Sequence, residues 1–419
     1  MLAGAAALAF ASLAAAQPVA PVWELAASEK PKLLETLKTI VEIETGSTNE
    51  AGLHQLSTLL GERFKALGGQ VELIEPSAAD TYKMEDTPEK IGRALKVTFK
   101  GTGTRRIMLL AHMDTVYPAG MLAQQPWRVE GNKAYGLGIA DDKQGVAVIL
   151  HTVAMLQALK VRDYGTLTVL INGDEEISSP GSRKLIARLG AEHDAVMSFE
   201  ASRVESDKLS LATSGIALAT LNVRGRASHA GSAPERGVNS LYELSHQLLQ
   251  LRDLSAPQRG LKVNWTVAKA GVVRNMIPPG AQAWADIRLL KVSDLTGLEA
   301  TLNERIKNKL LPESEVSVQI ENRRPPLEAT TASRTLAAHA QGIYKEIGKA
   351  LVVDPEPEGG GTDAAFAALE TKAPVIERFG LQGFGAHSSN AEYVLTDSIQ
   401  PRLYLATRLV MDLAQGKAR

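Results

Sequence analysis

The chain has 419 residues, 44% of them hydrophobic and 22% charged, enough apolar material for more than one core and too much for a disordered chain. Its 46 basic and 47 acidic residues leave a net charge of -1, so no global field draws it to nucleic acid or to an anionic membrane surface. There is no cysteine, which excludes disulfides, thiolate metal ligands and a cysteine nucleophile, and any metal site must use His, Asp and Glu.

The opening block MLAGAAALAFASLAAAQPVA carries small residues at Ala14 and Ala16 before Gln17, the pattern of a secretory signal over residues 1–16. It is shorter than the ~20 apolar residues of a membrane span and implies a periplasmic or secreted protein. From Glu29 to about Gly69, apolar residues recur at Leu34, Leu37, Ile40 and Val41 and then at Leu56, Leu59, Leu60 and Phe64, which predicts two helices. The runs LKVTFKG and RRIMLLAHMD follow as neighbouring strands, then a Gly-rich loop and a helix over Gln144 to Leu159. TLTVLING and AVMSFE are further strands, separated by a helix over Gly181 to Leu189. This alternation predicts an α/β sheet flanked by helices on both faces.

Around Ser214 the rhythm changes. GIALATLNVRG, NWTVAKAG, AQAWADIRLL and SVQIEN read as strands, with helices in GVNSLYELSHQLLQL and LTGLEATLNERIKNKL, which predicts a small α+β unit inserted into the larger sheet. After RRPPL, whose prolines suit a linker, the α/β pattern resumes. It ends in a helix with Leu403, Ala406, Val410 and Leu413 on one face.

The strand LTVLING runs directly into Asp174, Glu175 and Glu176. Two carboxylates about 4 Å apart repel by roughly 4 kcal/mol at an effective dielectric of about 20, so such a cluster needs a positive partner. Comparable groups sit elsewhere: His112 and Asp114 after IMLLA, Asp141 in GLGIADDKQG, and Glu200 after VMSF. In α/β sheets the carboxyl ends of the strands form the ligand crevice, so groups distant in sequence can converge there. His387 in GFGAHSSNAEY is a late histidine able to complete the set. His54, His151, His193, His246 and His339 lie outside any motif and read as structural. There is no G-x-S-x-G elbow, H-E-x-x-H helix or G-x-x-x-x-G-K-[ST] loop.

Taken in order, HMD, GxGIADDK, DEE, SFE and GxHSxxAEY resemble the motifs of the dinuclear zinc exopeptidases, a family that includes aminoacylase, acetylornithine deacetylase and succinyl-diaminopimelate desuccinylase. Within it the sequence is most similar to the bacterial glutamate carboxypeptidase branch. The resemblance implies a mixed sheet flanked by helices, formed by residues 17–213 and 326–419, with an inserted ferredoxin-like domain over 214–325. That domain would act as a lid and pair two copies into a homodimer. Two zinc ions per subunit are implied, one held by His112, Asp141 and Glu200, the other by Asp141, Glu176 and His387, with Asp141 bridging. The chemistry agrees: imidazole nitrogen and carboxylate oxygen are suitable zinc ligands, and one carboxylate spans the ~3.5 to 4 Å between paired metals.

Glu175, left outside both sets, would be the general base for a water activated by the metal pair. Asp114 fits the acid that fixes the tautomer of His112. The family places a histidine at His229 that helps bind the developing oxyanion of the neighbouring subunit's substrate, and it has a cis peptide between Asp141 and Asp142. An N-acyl glutamate such as a folate is the implied substrate, whose leaving group carries two carboxylates and needs cations. The resemblance points to Lys208, Arg288 and Arg324 for these, to Asn275 near the oxyanion, and to Gly360 and Gly361 for close backbone approach. Pro355, Pro357 and Ala386 depart from the branch's pattern and would reshape the cleft without touching the metals. Two other functions stay open: a broad N-acyl amino acid amidohydrolase, and a periplasmic metal or amino acid binding protein, which would have no use for Glu175.

Overall fold

The computed structural model describes residues 17–418, apart from 355, 358, 359, 389 and 390; the signal block and Pro355 lie outside the described residues. Two helices lead the chain, α1 (Ala20–Val41) and α2 (Glu50–Ala66). The first begins well before Glu29, with a proline in its first turn where no N–H is needed. Asn49 caps α2 by accepting the Gly52 N–H at 3.2 Å.

The large sheet contains β1 (Gln70–Ile74), β2 (Gly92–Lys100), β3 (Arg106–His112), β4 (Thr166–Gly173) and β5 (Ala195–Ser198). Helices α3 (Gln144–Ala158) and α4 (Arg183–Glu192) are interleaved. A last short strand (Val375–Ile376) completes the order β1-β2-β4-β3-β5-(Val375–Ile376). The expectation that LKVTFKG and RRIMLLAHMD are neighbours is corrected here, because β4 lies between β2 and β3. The reason is burial. Every residue of β4 after Thr166 is buried, and a strand apolar on both faces belongs in the middle of a sheet covered by helices. It reaches that place beside parallel β3 through the α3 crossover.

Residues of β3 alternate between two cores. Ile107, Leu109 and Ala111 join the cluster under α1, α2 and α3, while Met108 and Leu110 join the cluster with Ile186 and Leu189 of α4. Each buried Ile, Leu or Met among these contributes roughly 1.5–3 kcal/mol relative to exposure. The closing helix Ile399–Ala414 packs Leu403, Ala406, Val410 and Leu413 into the first cluster, as its spacing predicts.

The inserted unit is a second sheet of β6 (Gly215–Arg224), β7 (Lys262–Ala270), β8 (Gly280–Leu289) and β9 (Glu315–Arg324). Its order is β7-β8-β6-β9, all antiparallel. With α5 (Ser240–Gln250) and α6 (Val292–Arg305) between strands, this is the β-α-β-β-α-β connectivity of the ferredoxin-like fold. Strand β6 buries every second residue, and Ala217, Ala219, Leu221 and Val223 pack with Leu244 and Leu302 in a core of its own. Arg323 and Arg324, read from sequence as the start of a linker, are the last residues of β9, and the chain leaves the sheet only at the prolines.

A five-stranded sheet built from two- and three-residue strands joins Arg128–Glu130, Lys133–Tyr135, Tyr393–Leu395, Gln382–Phe384 and Ser202–Arg203. It went unread because strands this short carry no periodicity. Among the described residues no helix is long and apolar enough to cross a membrane.

Candidate metal centre and active site

Strands β3, β4 and β5 are parallel, so their carboxyl ends share one edge of the sheet. His112 is the last residue of β3, Glu175 and Glu176 follow β4, and Glu200 follows β5. Two loops complete the cluster. Asp141 lies in the irregular helical turn Ile139–Lys143, and His387 occupies a left-handed position at φ 62°. The turn before it is closed by Gly385 at φ 84°, a conformation that glycine adopts without penalty.

His112 Nε2 lies 3.0 Å from Asp141 Oδ1 and 3.3 Å from Glu200 Oε1. His387 Nε2 lies 3.2 Å from the other Asp141 oxygen, Oδ2, and 3.1 Å from Glu176 Oε2. Asp141 thus turns one oxygen to each histidine. Each triad has ligand atoms within 4.8 Å of one another, close enough to share one ion, and the peptide between Asp141 and Asp142 is cis.

The electrostatics are those of a site short of positive charge. Burial would lower the pKa of His112, but hydrogen bonds to Asp114, Asp141 and Glu200 raise it well above the usual range. Burial likewise opposes ionisation of Asp141, and its hydrogen bonds with His112 and His387 outweigh that and hold it below the usual carboxylate range. Hydrogen bonds to Asp141 and Glu176 push His387 up to about 11. Burial, with Asp141 adding repulsion, pushes Glu176 up to about 7. Protons here do the work of a cation. Glu176 Oε1 is buried with no hydrogen-bond partner among the described residues, an orphan that a metal would satisfy. This donor set of two imidazoles and three carboxylates fits a pair of divalent ions.

Supporting groups hold the ligands from behind. Asp114, fully buried, accepts the backbone N–H of Glu175 and of Glu176 at 3.0 Å each, and the Ser47 hydroxyl at 2.8 Å. His112 Nδ1 lies 3.1 Å from the Asp114 carbonyl and 3.3 Å from its carboxylate, which leaves Nε2 for the acids. Asp174 faces away, accepting from Gly181 N, Ser182 N and Ser182 Oγ at 2.7, 3.1 and 2.6 Å. Burial pushes it up to about 7, and it serves as a structural hydrogen-bonding group. Glu392 and Gln144 were missed as supports. Gln144 Nε2 donates to Asp142 and to the Phe199 carbonyl at 2.7 and 2.9 Å, tying the Asp141 loop to the strand that precedes Glu200.

Glu175 lies beside this cluster and belongs to neither triad. Burial drives its pKa well above the usual carboxylate range, against the pull of Arg324 and His112. A carboxyl raised in this way holds a proton more readily than a free one, as a general acid and base must.

The comparisons with known proteins agree with this geometry. Residues 108–412 match the model of peptidase family M20/M25/M40. The chain is 46% identical over 396 residues to carboxypeptidase G2 of Pseudomonas sp. (strain RS-16), covering 94% of this chain and 92% of that protein. The chain belongs to the M20 peptidase family. It is therefore a hydrolase of the metallopeptidase class. Acetylornithine deacetylase of Shigella sonnei is 28% identical over 66% of this chain and 72% of its own length. Among solved structures, aminopeptidase PepT from Bacillus cereus shares the fold at TM-score 0.73 and 20% identity, covering 92% of this chain and 99% of that one. A dinuclear metal-binding M20 peptidase of Bacillus subtilis does so at TM-score 0.62 and 16% identity, covering 92% and 99%.

Within this M20 chain the other sequence-derived candidates are distributed unevenly. Arg324 is buried and pairs with the Glu175 side chain; it also donates to the Glu175 carbonyl at 2.6 Å and lies 3.5 Å from Asp363. A Cβ on Gly361 would come within 2.4 Å of Arg324 Cδ, so this glycine makes room for the arginine. Gly360 is exposed. Lys208 is half-buried with its Nζ 3.2 Å from Asp354. Arg288 forms a fork on Asp286 of its own strand, with both contacts at 3.0 Å.

Arg288 and Arg324 both lie opposite Ile216 in the register of the second sheet. His229 and Asn275 follow the far ends of β6 and β7, and both are exposed. The eight-residue step from Ile216 to Arg224 separates the two groups by about 26 Å along the strand. Nδ1 of His229 accepts the Gly231 and Ser232 N–H groups at 3.1 Å each, so Nε2 carries the proton and is a donor. His54, His151, His193, His246 and His339 make local contacts, such as His151 with Glu29 at 2.8 Å and His193 with Thr168 at 2.8 Å.

Proposed function

We propose that this protein is a dinuclear zinc carboxypeptidase that hydrolyses the amide bond to a C-terminal glutamate in N-acyl glutamates such as folates. The division of Asp141's two oxygens between the two histidines carries the reading, and the 46% identity to a protein named as a carboxypeptidase supports it. His112, Asp141 and Glu200 would hold one zinc, and Asp141, Glu176 and His387 the other. When bound, the metals polarise the scissile carbonyl and make water more acidic.

The chain's own residues do the rest. Glu175 takes a proton from the attacking water as its oxygen bonds to the carbonyl carbon, and passes that proton to the departing nitrogen as the C–N bond breaks. Asp114 keeps His112 and the Glu175–Glu176 backbone in place. Lys208 and Arg288 provide cationic partners for the leaving carboxylates, exchanging their present acids for substrate. His229 and Asn275 lie at the far end of their sheet, which favours action on a second copy's site in a homodimer, with His229 Nε2–H as the oxyanion donor. Secretion to the periplasm or beyond rests on the opening block alone.

One observation favours a second reading, a broader N-acyl amino acid amidohydrolase. Arg324 is committed to Glu175, which removes one of three cations from the leaving-group pocket. The test is a panel of N-acyl glutamates and N-acyl neutral amino acids, with products resolved by mass and with chelator as control. Glutamate substrates are expected to turn over faster; equal rates would establish the broader activity instead. In parallel, Glu175→Ala is expected to lower kcat by about 10²–10⁴-fold with metal content unchanged, and retained turnover would refute the base assignment.

A further inference from the structure

Glu392, named above only as a support, is 1% exposed. Its carboxylate accepts hydrogen bonds on both oxygens. Oε1 receives the backbone N–H groups of Ala140 at 2.7 Å and Asp141 at 3.1 Å. Oε2 receives the Gly138 N–H at 3.1 Å and faces the Tyr117 hydroxyl at 2.6 Å. The same hydroxyl lies 2.9 Å from the carbonyl of Ser388, the residue after His387, and Gln125 Nε2 donates to that carbonyl at 3.0 Å. One buried carboxylate therefore grips the backbone that carries Asp141, and through one tyrosine it reaches the backbone that carries His387.

We infer that Glu392 and Tyr117 form a clasp that sets the separation of Asp141 and His387, and so the affinity of the metal set Asp141, Glu176 and His387. This rests on the two-metal reading of the site. The argument is one of donor and acceptor count. An ionised carboxylate offers only acceptors, and every group around Glu392 can donate. Three of the four are main-chain N–H groups with no freedom to rotate away. A glutamine of the same shape has one acceptor oxygen and one NH₂ group, so either the Gly138 or the Ala140–Asp141 donors must face another donor. The loop then shifts, and Asp141 shifts with it. Tyr117→Phe leaves the three N–H contacts of the carboxylate intact and removes the hydroxyl that lies between Glu392 Oε2 and the Ser388 carbonyl. The asymmetry follows: Glu392→Gln disturbs Asp141 and hence both metals, whereas Tyr117→Phe disturbs the His387 side. Outer partners of metal ligands typically govern about 10–100-fold in affinity.

The test strips the full-length protein with chelator, titrates it with Zn²⁺ by calorimetry, and records thermal unfolding of the metal-free forms. Wild type is expected to bind two ions per chain. Tyr117→Phe is expected to weaken one of the two binding events by about 10-fold and leave the other unchanged, and Glu392→Gln to weaken both by about 10–100-fold. If Glu392→Gln does not fold, Tyr117→Phe decides. Lowered stability of the metal-free protein with unaltered Zn²⁺ affinities would overturn the clasp, as would variants that titrate like wild type. A wild type that binds no Zn²⁺ would overturn the two-metal reading itself, an outcome distinct from failure of the clasp.

Discussion

The two sheets treat their functional residues in opposite ways. At the edge of the six-stranded sheet, His112 bonds to Asp141 and Glu200, His387 bonds to Asp141 and Glu176, and Glu175 pairs with Arg324, and all of these acids and His112 are mostly shielded from solvent. On the four-stranded sheet Arg288 holds an acid two residues away, and beyond its far end His229 holds its own turn. The difference follows from strand direction. Parallel strands end together, so β3, β4 and β5 deliver their last residues to one place. Antiparallel strands end alternately at opposite edges, so β6 and β8 send Arg288 and His229 apart. The first sheet gathers its groups at one edge; the second leaves Arg288 and His229 at opposite ends, while its Arg324 reaches Glu175 of the first.

The sharpest way to break this contrast is at the residue shared by both triads. Asp141→Asn removes one anionic oxygen from the bridge, and bound zinc is expected to fall from two ions per chain toward none, with affinity lowered by more than ~100-fold. Elemental analysis that still finds two ions would show that the cluster is not organised round Asp141.

A smaller effect is expected from pH. In the metal-free protein, His387 titrates near 11 through its bonds to Asp141 and Glu176. Its folded pKa lies above the ordinary histidine value of about 6.5, so this attraction stabilises the fold fully below that pH and is lost as pH rises through about 11. Metal must displace this proton and that on His112, so apparent zinc affinity is expected to rise from about pH 6 to about pH 8 with proton release. Calorimetry in buffers of different ionisation enthalpy measures the protons released. A flat profile with no release would show that the histidines do not ligate.

The smallest effect is expected on the second sheet. Asp286→Ala removes the partner of Arg288 from a pair in which both side chains are more than a third exposed, and unfolding free energy is expected to change by less than about 1 kcal/mol. A loss of several kcal/mol in denaturant unfolding would mean that this face is as tightly built as the metal edge.

Much of the site was legible because metal chemistry limits the residue types. With no cysteine, ligands had to be His, Asp and Glu, and strand-terminal acids after apolar runs marked where they sit. Arg324 was named on the resemblance alone, and its pairing was not legible. An arginine in a polar, proline-bounded segment reads as an available cation, and only the end of β9 meeting the edge of β4 shows it committed to Glu175. Glu392 was visible inside the GxHSxxAEY motif, but nothing in one dimension says that its oxygens collect N–H groups some 250 residues earlier.

By itself the sequence determined the elements that repeat a period over several turns or strand residues, and the presence of His112, Glu175, Glu176 and Glu200 just after apolar strands, because periodicity and side-chain chemistry are local properties. Strand order, the place of β4 between β2 and β3, the short-stranded third sheet and the partners of Arg324 and Glu392 were decided only in the tertiary structure. Those features depend on which surfaces bury one another and which donors meet which acceptors, and neither is set by any stretch of the chain read alone.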